Sequence, residues 1–177
     1  MLRYLYQSVI FKEIPNEITL GISITGCQIR CKGCHSRELW EDKGIPLTTD
    51  ELDKLLSENE GITCLCLFGG EHDIDSLITL LLWVGKKWKN IKRAWYCGLD
   101  FVPKNKQHIF DVLDYVKVGH YDSELGGLDN PHTNQRLYQI SHRIVQNELY
   151  DITECFRHIS FELYIVMYMS VNKKIYH

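Results

Sequence analysis

Hydrophobic residues in this chain fall into short runs whose period switches between two and about 3.6, with a glycine, a proline or a polar cluster at each switch. From Ile18 to Thr25, Ile18, Leu20, Ile22 and Ile24 alternate with small and polar residues, which predicts a strand with one buried face. After Pro46, Thr48 and Glu51 have the spacing of a capping box, and Leu52, Leu55 and Leu56 make an apolar stripe, so a helix starts there and ends at Gly61. Ile62 to Phe68 is almost continuously apolar, as expected of a strand covered on both faces in a parallel sheet. Between Asp73 and Trp88, Ile74, Leu77, Ile78, Leu81 and Trp88 recur at helical spacing. Lys86, Lys87 and Lys89 sit near the end of that run, where the helix dipole favours cations. Ile91 to Cys97 predicts a third strand ending at Gly98. Pro103 opens a further helix with Ile109, Phe110 and Leu113 inward, and Tyr115 to Val118 is a fourth strand closing at Gly119 and His120.

This alternation predicts parallel β/α units joined by right-handed crossovers. A complete eight-unit barrel takes about 250 residues, and 177 supply roughly half to three-quarters of one. The expected fold class is therefore α/β, a partial, open (β/α) barrel of parallel strands over residues 1–140. Residues 141–177 form a short C-terminal extension with a β element over Arg143 to Asp151. The run from Ile159 to His177 reads as an edge strand, a partner-docking segment or a poorly ordered tail.

Composition narrows the function classes. Hydrophobic residues make up 45% and charged residues 24%, as in ordinary soluble domains. A net charge of -3 offers no global basic field for nucleic acid. Seven irregularly spaced cysteines suit a reducing cytosol better than a disulfide framework. Met1 to Ile10 lacks the basic stretch, apolar core and cleavage site of a signal peptide. Ile159 to Val171 contains Glu162 and is shorter than the roughly 20 residues that span a bilayer. A cytoplasmic protein without a membrane or nucleic-acid partner is expected.

The chemistry gathers after the first strand, where Cys27, Cys31 and Cys34 are spaced C-x3-C-x2-C in one loop. A structural zinc site wants four protein ligands, and an electron-transfer 4Fe-4S cluster wants four cysteines. Three cysteines would hold three irons of a cubane and leave the fourth open to a ligand that is not protein. Two other readings compete. Cys31-Lys-Gly-Cys34-His35 also fits covalent haem attachment, but that leaves Cys27 without a job and demands export. Three unrelated buried cysteines fit poorly with Gln28, Arg30, Lys32 and Gly33, which make the loop polar and turn-like.

Other candidates follow along the chain. Glu71, after Gly69 and Gly70 at a strand end, could take a cation while the glycines admit a ligand to the backbone, or the three could form a simple tight turn. His35 offers a ring for stacking, or is a surface histidine. Cys64 and Cys66 share a strand face and Cys97 ends another; buried cysteines usually act as small hydrophobes rather than a second cluster. Thr133-Asn-Gln-Arg136 supplies donors for a carboxylate or a docking loop, or is a polar surface loop.

With Cys27, Cys31, Cys34, Trp40, Gly69-Gly70-Glu71 and the segment Leu125 to Arg136, the chain resembles the radical S-adenosylmethionine (SAM) superfamily over roughly residues 10–140. Gly33 before the third cysteine is similar to the variant in activating proteins of anaerobic ribonucleoside-triphosphate reductase. The resemblance implies an oxidoreductase with a 4Fe-4S cluster on Cys27, Cys31 and Cys34. It further implies SAM bound at the open iron, its amino group at Gly69, Gly70 and Glu71 and its adenine near His35, with Gly33 also a cofactor-binding residue. Such an activase cleaves SAM reductively, and the 5'-deoxyadenosyl radical takes hydrogen from a glycine of a partner glycyl-radical enzyme. A flavodoxin-like donor would supply the electron. The alternatives are a radical SAM enzyme acting on a small molecule, such as a deazapurine-forming enzyme, and a non-enzymatic module holding zinc or haem. An open barrel around a radical needs something large to exclude water, which argues for a macromolecular substrate. The chain departs from the family at His72, where proline is common, and at Lys117, near which relatives often carry an acidic residue.

Overall fold

Each strand expected from an apolar run forms, and together they make the parallel centre of one sheet. The fold is that of a computed structural model, which describes residues 1–142 and 147–157. In chain order it consists of β1 (Arg3–Ile10), β2 (Thr19–Ile24), β3 (Ile45–Pro46), α1 (Thr49–Glu58), β4 (Cys64–Phe68), α2 (Ile74–Lys87), β5 (Lys92–Tyr96), β6 (Tyr115–Val118), β7 (Arg136–Ser141), β8 (Glu148–Asp151) and α3 (Thr153–Arg157). Among the described residues the strands lie in the order β3-β1-β2-β4-β5-β6-β7-β8, and the two outermost do not pair with each other. β2, β4, β5 and β6 run parallel, while β1 and β3 on one flank and β7 and β8 on the other are antiparallel to their neighbours.

The parallel strands are added always toward the same edge, so their connections share one face of the sheet. Leu20, Ile22, Leu65, Leu67, Trp95 and Val116 point to that face, where they pack with Leu52, Leu55 and Leu56 of α1 and Leu77, Leu81 and Val84 of α2. The caps follow the sequence logic: Thr48 accepts from the Glu51 amide at 3.2 Å, and Asp73 caps α2 through the Ser76 amide.

On the opposite face, the described residues place a loop where the first face has α1 and α2. This loop joins β1 to β2, with Ile14 fully buried beside Cys64, Cys66, Ala94, Tyr115 and Leu137. Glu17 anchors this floor, 4% exposed at the N-terminal ends of the parallel strands. It accepts from Lys92 Nζ at 2.5 Å, Tyr115 Oη at 3.0 Å and Thr63 Oγ1 at 2.6 Å, and Tyr96 Oη donates to the Glu13 carbonyl.

One expectation needs correction, and the sheet holds strands that the sequence did not predict. Pro103 does not open an α-helix; it precedes a 3-10 helix over Lys104–Val112 whose first turn has no side-chain cap. Of its inward residues, Ile109 and Leu113 are buried, while Phe110 is only partly so. β1 and β7, not anticipated as strands, flank the parallel centre. β1 carries a bulge between Tyr4 and Tyr6 that breaks its alternation. β7 is covered on both sides, Leu137 joining the floor cluster and Ile140 the helix-side core, so it shows no period of two. Of the β element expected over Arg143 to Asp151, β8 is its described part; residues 143–146 and the run from Ile159 to His177 lie outside the described residues. Among the described residues no helix is long and apolar enough to cross a membrane.

Candidate functional site

The C-terminal ends of the parallel strands lie side by side, and each carries a segment singled out above. β2 leads into the cysteine loop, β4 into Gly69-Gly70-Glu71, β5 into Cys97 and Gly98, and β6 into Gly119 and His120. In parallel sheets this is the edge on which sites are built.

Cys27, Cys31 and Cys34 are all half-buried free thiols in one loop. Arg30 and Gly33 have φ of 51° and 77°, and these left-handed residues curl the loop on itself. Backbone amides then face the sulfurs: the Ser36 amide lies 3.4 Å from Cys34 Sγ, and those of Arg30 and Ile29 donate to Cys27. Amides turned inward in this way form an anion cradle suited to thiolates. Desolvation nevertheless raises the Cys27 pKa, and the nearby charges of Glu71 and Cys31 push the same way while the two amides oppose it. A positive ion among the sulfurs would relieve this. Among the described residues no three His, Cys, Asp or Glu side chains converge at metal-binding spacing, so a metal centre here requires the loop to draw its thiols together. At Gly33 a side chain is doubly excluded, by the backbone and by Ser123, whose Cβ would stand 2.9 Å from an added Cβ.

Glu71 is tied to this loop. Its Oε1 accepts from the Gly98 amide at 2.5 Å, and Ile29 of the cysteine loop packs on that same Gly98. Its Oε2 is buried without a hydrogen-bond partner. A buried carboxylate oxygen left unpaired is costly, so this atom awaits a donor. Gly69 and Gly70, with φ of 86° and 89°, make the turn that lifts Glu71 off the end of β4. His72 packs its ring on Gly26, directly before Cys27.

Lys117 is the residue that sequence reasoning noted without a role. It lies on β6 opposite Tyr96, 7% exposed, on the face away from the helices. Its Nζ donates to the Gly119 carbonyl at 2.6 Å and lies 6.0 Å from the Tyr96 ring centre. Burial lowers its pKa to about 8, and Cys97, Cys31, Glu71 and Glu13 act in the opposite sense. Its signal in the sequence was a lone lysine between two valines of a central strand.

The remaining candidates separate. His35 is exposed at the mouth of the loop, its ring 5.2 Å from that of Tyr121. The guanidinium groups of Arg30 and Arg37 lie 5.9 and 5.8 Å from the Trp40 ring centre. Asn134 donates to the His120 carbonyl at 3.0 Å, which holds the segment carrying Tyr121 and Ser123 against the cysteine loop. Arg136 braces its own turn by donating to the carbonyls of Thr133 and Gln135 at 2.8 and 2.7 Å. Cys64 and Cys66 belong to the floor cluster, and burial pushes both thiols up, so they behave as small hydrophobes. Cys97 stands at the site edge with its thiol pushed up to about 12, again by burial.

A mixed sheet with three thiols in one loop at the C-terminal edge of its parallel strands defines an iron–sulfur class of protein. Residues 18–141 match the family model described as a 4Fe-4S single cluster domain, and the chain belongs to that family. No curated protein and no solved structure matches it.

Proposed function

We propose that the chain is a radical SAM activase whose four parallel strands are the wall of an open barrel. Cys27, Cys31 and Cys34 hold a 4Fe-4S cluster, and SAM binds beside it. When bound, these groups supply one-electron cleavage of the sulfonium, giving methionine and a 5'-deoxyadenosyl radical that can take hydrogen from a glycine of a partner protein. The observation that carries the reading is the unpartnered Glu71 Oε2, set on the strand-end row that bears the cysteine loop. An amino group donating to that oxygen would satisfy it, while the Gly98 amide keeps the other oxygen fixed. Gly69 and Gly70 leave the backbone bare where such a ligand would lie. His35 and Tyr121 offer rings at the mouth for an adenine.

The floor supports a protein substrate over a small molecule. Glu13 to Glu17 fill the inner face from below, so a substrate has to approach at the strand-end edge, and a large one would exclude water there. A glycyl-radical enzyme such as anaerobic ribonucleoside-triphosphate reductase suits that demand, with a flavodoxin-like donor, in the reducing cytoplasm.

The test is anaerobic reconstitution with iron and sulfide, followed by electron paramagnetic resonance of the reduced protein with and without SAM. SAM should change the signal of the wild type, and Glu71→Gln should keep its iron but lose that change. A SAM-dependent doublet on an added glycyl-radical enzyme would identify the partner. Zinc in place of iron, or iron indifferent to SAM, overturns the proposal.

A further inference from the structure

We infer that Lys117 is a fixed internal counter-charge for the iron–sulfur centre, favouring the form that carries the added electron. The inference rests on the reading that Cys27, Cys31 and Cys34 hold the cluster and that an outside one-electron donor reduces it.

The position is unusual for a lysine. Lys117 sits in the parallel centre of the sheet, 7% exposed, and its own carbonyl is engaged by the Cys97 amide at 2.8 Å. Among the described residues no carboxylate lies within ion-pair distance of its Nζ; the acceptor it has is the Gly119 carbonyl, at the strand end. A buried ammonium without a paired anion opposes folding. The partner of Lys117 across the backbone, Cys97, and its acceptor, Gly119, both stand on the strand-end row, and of the side chains that act on its charge, Cys97, Cys31, Glu71 and Glu13, the first three belong to that site. A cation held there at a cost is one whose compensation arrives with something negative.

Thiolate ligation supplies that negative charge. Accepting one electron makes a thiolate-bound cluster one unit more negative, and nearby charge, hydrogen bonds and burial set its potential. Inside a protein a fixed cation acts on that added charge far more strongly than in water. Lys117 neither gives nor takes an electron; the donor loses one and the centre gains one, while the ammonium stays in place. The Gly119 carbonyl keeps Nζ from swinging out to solvent.

The experiment compares wild type, Lys117→Met and Lys117→Arg, each reconstituted anaerobically and poised at a series of potentials without SAM, with the reduced fraction read by electron paramagnetic resonance. At the wild-type midpoint, the reduced-to-oxidised ratio should fall at least tenfold in Lys117→Met, about 59 mV for a one-electron couple. Lys117→Arg should stay within about threefold of wild type, because it keeps the charge. A Lys117→Met protein with full iron and an unmoved midpoint overturns the inference, as does an arginine variant that falls as far as the methionine one. Iron uptake lost in Lys117→Met and kept in Lys117→Arg supports it; uptake lost in both overturns it. A wild type that takes up no iron breaks the underlying reading instead.

Discussion

Replacing Lys117 by methionine should make the cluster-free protein more stable. Burial holds the folded-state pKa at about 8, against 10.5 for an ordinary lysine. At about 1.4 kcal/mol per pH unit, keeping the charge in place at neutral pH costs about 3 kcal/mol. Methionine matches the lysine stem in length and removes that cost, but leaves the buried Gly119 carbonyl without its donor, which takes back about 1 kcal/mol. The net gain is about 2 kcal/mol, or roughly 4–8 °C in midpoint for a chain of this size. The sign with pH follows from linkage. Between pH 8 and 10.5 the unfolded lysine holds its proton and the folded one has lost it, so the wild type gains on the variant through that window and the gap closes. Removing the Lys117 charge also lets the pKa values of the Cys97 and Cys66 thiols rise further, so the comparison reads Lys117 together with the thiols it acts on. Urea unfolding of both proteins under reducing conditions at pH 7 and near pH 10 measures it. A variant less stable than wild type at pH 7, or a gap that does not narrow, refutes the reasoning.

Glu17→Ala should cost about 2 kcal/mol in the same assay, since it strips the acceptor from Lys92, Tyr115 and Thr63 together, with the partly exposed Lys92 limiting the loss. Asp73→Ala should cost about 1 kcal/mol by uncapping α2. The Ser76 hydroxyl, ahead of its other partners, holds the Asp73 carboxyl at about 2. Its contribution is therefore full above the ordinary carboxylate value and is lost as pH falls toward 2, so acid titration of wild type and variant should converge. Gly33→Ala should lower iron uptake on reconstitution at least several-fold, because a left-handed backbone and Ser123 both reject the methyl; an equal iron content would show the loop to be freer than its geometry implies.

The parallel centre was legible because its strands are covered on both faces or alternate cleanly, and the cysteine loop and Gly69-Gly70-Glu71 because each follows such a strand. β1 escaped because the bulge after Tyr4 shifts its period, and β7 because Leu137 and Ile140 serve opposite faces. The floor was illegible for a different reason. Glu17 finds its partners 46, 75 and 98 residues away, and nothing local distinguishes it from a loop glutamate. Lys117 could be placed in a strand, but only the register opposite Tyr96 put it on the inner face.

Glu17 ties the loop ahead of β2 to the beginnings of β4, β5 and β6 at a single carboxylate. The spacing of those strand starts is therefore governed by one side chain. Rebuilding that end of the sheet would have to begin by supplying its three donors with another acceptor.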